Sequence, residues 1–404
     1  MNKKEIIICT LGTHGDILPF LPFAKAWVTQ GYNVTILSNI GWKKIATETG
    51  ASFHSIAPDD PPQSNRDNFR FFLENIMPSY RASFDFIARR VATGERPILF
   101  YRNNMLGPEC AAEVFDLPNA KVVLQPSGIQ SKHRPPWPWT LLASGRWRWL
   151  YNAVIFPLLM VIGAIGRYRR ATNRFRKEVG AKPIPFKNTR LDDTLTLLLC
   201  PQWYASPQPD WPPNTHCIGF PDKQNEVEDT TLRDFIAQYG KPIVFTPGTG
   251  VSDVSGFLNL ARSICGALNL PGIFLSRHAH LQSVESGTFI VRKYADLGWL
   301  ARRSRLLVHH GGIGTTSEAL RAGIPQVILP DKFDQPDNAM RIAGLGLGGV
   351  IMNIEIGNQH WTKLIEKLLS DDRLHDRLNK VANAIAQDRC VERGLNLVAA
   401  RAGI

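Results

Sequence analysis

Residues 308–338 read VHHGGIGTTSEALRAGIPQVILPDKFDQPDN. The apolar run Leu306-Leu307-Val308 leads into His309-His310-Gly311-Gly312-Ile313-Gly314-Thr315-Thr316, and a helical pattern follows at once. The order is strand, glycine turn, helix amino end. Such an end presents free N–H groups and about half a positive charge, so it binds phosphate without a metal. Glycines allow close approach of the backbone to an anion. Thr315 and Thr316 can offer hydroxyl donors, and His310 a ring N–H. Gly323 is placed to end the helix and Pro325 to open a strand, Gln326–Leu329. Asp334 and Gln335 then fall in the loop after that strand, where open α/β sheets bind ligands.

Outward from this run, the chain alternates strands and helices. Glu5–Thr10, Asn33–Ser38 and Ala51–Ile56 read as strands, with helices at Pro19–Gln30 and Trp42–Thr49 between them. The pattern restarts with Pro242–Thr246, a helix at Gly256–Leu268, then Gly272–Leu275 and Leu306–His309. Alternation of this kind predicts an α/β protein with parallel sheets. A chain of 404 residues exceeds one typical core, so two domains are expected. The proline- and aromatic-rich run Pro201–Pro213 reads as their connector. The glycine run Gly344–Gly349 follows a helix and precedes a strand, the wrong order for a dinucleotide site. The six cysteines are scattered without a CxxC pair and read as reduced, mostly buried thiols of a cytoplasmic protein. The start, MNKKEIIICTLG, enters a strand with no small-residue cleavage site, so no signal peptide is expected. His278 and His280 have no Cys or acidic residue near them in sequence and read as a loop, not a metal site.

The segment from His310 to Gln335 resembles the donor-binding signature of the family-1, nucleotide-sugar-dependent glycosyltransferases of the GT-B fold. The matching positions are His310, Gly312, Gly314, Thr315, Glu318, Asp334 and Gln335. The resemblance implies two Rossmann-like parallel-sheet domains facing a cleft. An N-terminal acceptor-binding domain would span 1–215 and a donor-binding domain 216–385, with 386–404 a last helix packing back on the first domain. It implies that His310, Gly314 and Thr315 hold a diphosphate, that Glu318 binds ribose, and that Asp334 and Gln335 bind the sugar. Thr249, in Phe245-Thr-Pro-Gly-Thr-Gly250, resembles a second phosphate contact. Where relatives read the base with Pro-Gln, this chain has Tyr294-Ala-Asp-Leu297, so packing near Asp296 and Leu297 is expected to hold it. Uracil and thymine are not distinguished. No cofactor is implied beyond the nucleotide sugar as co-substrate, and no metal; the chain has no Asp-x-Asp, the metal-bridging signature of the other main glycosyltransferase fold.

The turn Gly12-Thr13-His14-Gly15-Asp16-Ile17-Leu18-Pro19 follows the first strand. Asp16 there reads either as a helix cap or, from the resemblance, as the base that accepts the proton of an attacking hydroxyl. His14 is the second candidate. A carboxylate of ordinary pKa near ~4 cannot ionise an alcohol beforehand, so proton transfer would accompany bond formation. One displacement implies inversion at the anomeric carbon.

Residues 132–190 hold thirteen Lys and Arg against one acid, Glu178, a balance of 13 − 1 = +12 that equals the net charge of the whole chain. Trp137, Trp139, Trp147 and Trp149 interleave, and the uncharged stretch 149–166 follows. The composition fits a segment that lines a hydrophobic acceptor site or touches anionic lipid peripherally, better than a membrane span. Nothing else supports nucleic-acid binding. The features point to rhamnolipid- and sterol-directed members of the family. The expected activity is transfer of rhamnose or glucose from a UDP- or dTDP-sugar to a hydroxyl of a lipid-like acceptor. A GT-B nucleotide-sugar epimerase, or transfer to a sterol or aromatic natural product, is the alternative.

Overall fold

Two sheets organise the chain. The computed structural model describes residues 4–58, 68–134, 158, 166–184, 193–221, 226–247, 254–276, 287–352 and 357–403. Thr249, His278, His280 and all but Leu158 and Gly166 of the 149–166 stretch lie outside the described residues.

The first unit comprises Met1–Asp222 and Arg389–Ile404. Its seven strands are β1 Glu5–Cys9, β2 Asn33–Asn39, β3 Ser52–Ala57, β4 Ile98–Arg102, β5 Asn119–Val123, β6 Leu195–Leu198 and β7 Thr215–Cys217. They lie in the order β3-β2-β1-β4-β5-β6-β7, and every pair is parallel. The second unit, Lys223–Asp388, holds β8 Ile243–Thr246, β9 Gly272–Leu275, β10 Phe289–Arg292, β11 Leu306–His309, β12 Gln326–Ile328 and β13 Gly349–Val350. Their order is β10-β9-β8-β11-β12-β13, again parallel throughout. Each sheet winds outward in both directions from its first strand. The switch point falls between β1 and β4 in one unit and between β8 and β11 in the other, where doubly wound sheets open a ligand crevice.

The strands read as apolar runs because both faces are covered. On β1, Ile6 and Ile8 join a core with Phe20, Phe23, Trp27 and Phe100, while Ile7 and Cys9 face Phe84, Ile87, Leu99 and Tyr101 on the other side. The terminal helix Cys390–Ala402 belongs to the first face through Leu395 and Val398. A side chain at Gly394 would meet Phe23 Cε1 at 2.6 Å, so a residue without one is required there. Arg393 donates to the carbonyl of Ile218 at 2.8 Å.

Several sequence expectations shift. Pro201–Pro213 does not join the units: it links β6 to β7 inside the first, with Tyr204 and Trp211 buried. Because β7 is the seventh strand of that sheet, the boundary falls at 222/223 instead of 215/216, and the return segment begins at Arg389 rather than 386. The prolines stop regular structure without leaving the domain. The helical path of the first turn begins at His14, ahead of Pro19. Among the described residues, no helix is long and apolar enough to cross a membrane. All six cysteines are free thiols.

The basic segment also differs in one respect. Arg176, on the helix Arg167–Glu178, is fully buried, not solvent- or lipid-facing. Its Nη1 lies 2.9 Å from Glu109 Oε1, its Nη2 pairs with Glu113, and its Nε donates to the Lys182 carbonyl at 2.6 Å. The two glutamates come from the helix Leu106–Val114, outside residues 132–190. Arg176→Met removes the guanidinium that both glutamates share. It is expected to destabilise by roughly 2–4 kcal/mol, short of a fully buried pair because the carboxylates keep 28% and 26% side-chain exposure. A denaturant midpoint unchanged from wild type would contradict this.

Candidate functional site

At the switch point of the second sheet, β11 ends on His309 beside Thr246 of β8. The chain then turns through Gly311, at φ +92°, into the helix Ile313–Ala322. A side chain at Gly311 would meet Ile328 Cγ2 at 2.7 Å and the Gln335 carbonyl at 3.1 Å, so the turn admits only glycine. Gly312 is the N-cap residue and supplies no capping side chain. The first-turn amides are thereby left to a ligand or to water. Among the described residues, a methyl group at Gly314 would meet no heavy atom within 4 Å outside its own helix turn. Thr315 is half-buried on this turn, but Thr316 is fully buried and bonds back to the Gly312 carbonyl at 3.0 Å. Of the two threonines, only Thr315 keeps its hydroxyl for the role expected of it. Gly323 ends the helix in the left-handed conformation, at φ 67°.

Both histidines are neutral donors or acceptors, not cations. Burial pushes His309 down to about 3, with the neighbouring His310 adding to the shift. Burial pushes His310 down to about 4. His309 Nδ1 accepts from the Gly311 N–H at 3.1 Å, which places the ring proton on Nε2, directed at Gln326 Oε1 2.9 Å away. The His310 ring lies over Gly312: a side chain there would approach Nε2 to 2.6 Å. His310 therefore contributes a dipole beside the helix end rather than a charge.

The loop after β12 supplies the next groups. Gln335 begins the helix Gln335–Leu345, with Asp334 as its N-cap residue. Gln335 is buried, and its Oε1 accepts from the N–H groups of Asp331 (2.9 Å) and Lys332 (3.2 Å). Asn338 is fully buried and donates both to the Gly311 carbonyl (2.9 Å) and to Asp334 Oδ2 (2.8 Å). Phe333, just before Asp334, is 85% exposed and left-handed at φ 58°. Glu318 is buried on the Ile313–Ala322 helix. A side chain at Gly298 would meet Glu318 Oε2 at 3.0 Å and Asp296 Oδ1 at 3.3 Å, so these carboxylates flank the helix Leu297–Ala301. Asp296 caps that helix by accepting from the Trp299 N–H at 3.0 Å, and Leu297 is its first residue. The structure thus groups His310, Gly312, Gly314 and Thr315 on one turn. Asp334 and Gln335 are tied to that turn through Asn338 and the Gly311–Gln335 contact.

In the first unit, the Thr10–Asp16 turn follows β1 at the switch point. Asp16 is the third residue of the helix His14–Ile17, with Thr13 as N-cap. Its Oδ2 accepts from Thr13 N at 2.8 Å and Thr13 Oγ1 at 3.2 Å. Its Oδ1 lies 2.9 Å from Arg102 Nη2, at the end of β4. Arg102 also donates to the Leu11 carbonyl at 3.2 Å. Gly12 has φ +132°, and a side chain there would strike Asp16 Oδ2 at 2.2 Å. His14 packs its ring edge-on against Trp42 with centroids 4.2 Å apart, and Trp42 Nε1 donates to the Gly12 carbonyl at 3.0 Å. Sequence reasoning missed Arg102, Asn338 and the His309–Gln326 pair. Arg102 did carry a signal, a charge ending an apolar strand beside β1. Asn338 carried another, an amide four residues after Asp334 on one helix face.

Comparison with known proteins agrees with this architecture. Residues 278–393 match the model of the erythromycin biosynthesis protein CIII-like C-terminal domain. The chain is 24% identical to O-mycaminosyltylonolide 6-deoxyallosyltransferase of Streptomyces fradiae, over 98% of this chain and 96% of that one. It is also 24% identical to a sterol 3-beta-glucosyltransferase of Cryptococcus neoformans var. neoformans, over 98% of this chain but only 27% of that longer protein. Among solved structures, glycosyltransferase VinC in complex with dTDP superposes with a TM-score of 0.71 at 16% identity, covering 98% of this chain and 99% of that one. The fold is GT-B, two parallel-sheet α/β units. Along its length the chain is similar to glycosyltransferases of this kind, and it is a sugar-transferring enzyme.

The two histidines set a pH dependence. Their folded pKa values lie below the ordinary 6.5, so the unfolded chain takes up protons first as pH falls. Their contribution to stability is full above about pH 6.5 and is lost as pH falls from there towards 4 and 3. Between pH 7.5 and 5, melting is expected to drop by roughly 5–15 °C. His309→Asn is expected to melt lower at pH 7.5 but with a shallower dependence on acid; parallel profiles for the two proteins would refute the assignment.

Proposed function

We propose that this enzyme moves a hexose, rhamnose or glucose, from a UDP- or dTDP-sugar to a hydroxyl of a hydrophobic, lipid-like acceptor, with inversion. The observation that supports this most is the uncapped amino end of the Ile313–Ala322 helix at the switch point of the second sheet, with a neutral His310 over Gly312. The leaving diphosphate gains negative charge in the transition state. Backbone donors already oriented toward it stabilise that charge without reorganising. The helix end supplies this itself, so the mechanism calls for no divalent ion. His310, Gly312, Gly314 and Thr315 take the diphosphate in this reading, with Thr249 as a second contact. Glu318 takes the ribose, packing near Asp296 and Leu297 takes the base, and Asp334 and Gln335 take the sugar hydroxyls. The dTDP bound by VinC supports a nucleotide of this class, and the tylonolide and sterol transferases support a hydrophobic acceptor. A cytoplasmic enzyme in peripheral contact with anionic membrane fits the basic 132–190 segment, on which Arg167, Arg170, Arg174 and Lys177 are exposed.

Proton removal falls to the Thr10–Asp16 turn. Asp16 has both oxygens engaged, one by Arg102 and one by Thr13. A carboxylate with both oxygens already engaged has less acceptor capacity left for an incoming hydroxyl. This favours His14 as the proton acceptor, with Asp16 holding the turn, over Asp16 as the base itself.

Steady-state kinetics with a nucleotide sugar and a hydroxy-fatty-acid or sterol acceptor tests the assignment. His14→Ala is expected to lower kcat by about 10²–10⁴-fold while leaving the donor KM near wild type. Asp16→Asn is expected to lose less and to melt earlier. Full loss in Asp16→Asn with a mild effect in His14→Ala would return the base role to Asp16. Epimerised sugar formed without acceptor would overturn the transferase reading.

A further inference from the structure

The two halves of the donor site are joined through one buried side chain. We propose that Asn338 is a positioning residue that sets Asp334 in register with the phosphate turn, so that diphosphate and sugar are recognised as one unit; this rests on the donor-site assignment above. Asn338 is fully buried, and its Nδ2 serves two acceptors, the Gly311 carbonyl at 2.9 Å and Asp334 Oδ2 at 2.8 Å. Gly311 is held from its other side as well, since its N–H donates to His309 Nδ1 at 3.1 Å. The residue that begins the phosphate turn is thus pinned at its nitrogen by one buried side chain and at its oxygen by another. Asn338 extends that constraint to Asp334.

The geometry explains why an amide stands here. One nitrogen with two hydrogens can satisfy a carbonyl and a carboxylate together, and each bond to the charged partner is stronger than a neutral one. A carboxylate in the same place would repel both acceptors. An apolar residue would leave the Gly311 carbonyl without this donor and release the Asp334 carboxylate to rotate. The phosphate turn has its own anchors in His309 and in the helix, so the loss falls mainly on sugar recognition. A misplacement of about 1 Å in such a group is enough to cost binding and rate heavily.

Calorimetric titration of the full chain with dTDP, UDP and their glucose conjugates tests this, alongside kcat and KM. Asp334→Ala is expected to weaken the sugar nucleotide at least about tenfold while leaving the free diphosphate within about threefold. Asn338→Ala should give the same pattern, and combining the two should cost little beyond Asp334→Ala alone, as coupled residues do. If Asn338→Ala does not fold, Asn338→Leu keeps the volume while removing the donor, and the same selective loss is expected. The proposal is overturned if a folded Asn338 variant binds the sugar nucleotide as wild type does. Equal weakening of diphosphate and sugar nucleotide, additive with Asp334→Ala, also overturns it while leaving the donor-site assignment intact. A wild-type chain that binds neither nucleotide overturns both.

Discussion

Backbone donors left uncapped at a helix end must find an acceptor, and the arrangement around the glycine turn of the second unit follows from that requirement. Gly312 caps the Ile313–Ala322 helix without a side chain to give. The Gly311 turn is so tight that Ile328 and Gln335 leave no room for a side chain. Around these amides the protein places two imidazoles that burial keeps neutral. A positive charge already present there would bind a dianion more tightly at rest. In the proposed transfer, dipoles instead reserve more of their interaction for the charge that grows as the leaving group departs.

The first unit treats its switch point differently. The turn after β1 closes on itself: Thr13 and Asp16 satisfy each other, Arg102 locks the carboxylate, and Trp42 braces both Gly12 and His14. The result is a braced support for the His14 imidazole. Rigid placement is what the proposed role of that ring as proton acceptor needs.

The doubly wound architecture was legible in the sequence because both sheets are buried on two faces, and buried parallel strands read as uninterrupted apolar runs. The phosphate turn was legible because glycine spacing there answers to local sterics. The side chains at its margins were less so. Arg102 meets Asp16 across 86 residues, and Arg176 meets Glu109 and Glu113 across 67 and 63. Contacts at such separations are decided by sheet order, which no local pattern states. The same cause misplaced the connector: prolines at 201–213 mark the end of a strand, and only the pairing of β7 with β6 shows that the domain continues. Asn338 stands between these cases, local to Asp334 but distant from Gly311.

The most direct test of the account is binding of UDP and dTDP to Gly314→Ala. Among the described residues, the added methyl meets no atom within 4 Å outside its own helix turn, and alanine favours a helix over glycine by up to about 1 kcal/mol, so the variant should melt at or above the wild-type temperature. If that open space is where the diphosphate sits, affinity for both nucleotides falls by at least about tenfold in a protein that is no less stable. Unchanged affinity would place the phosphates elsewhere and contradict the central claim.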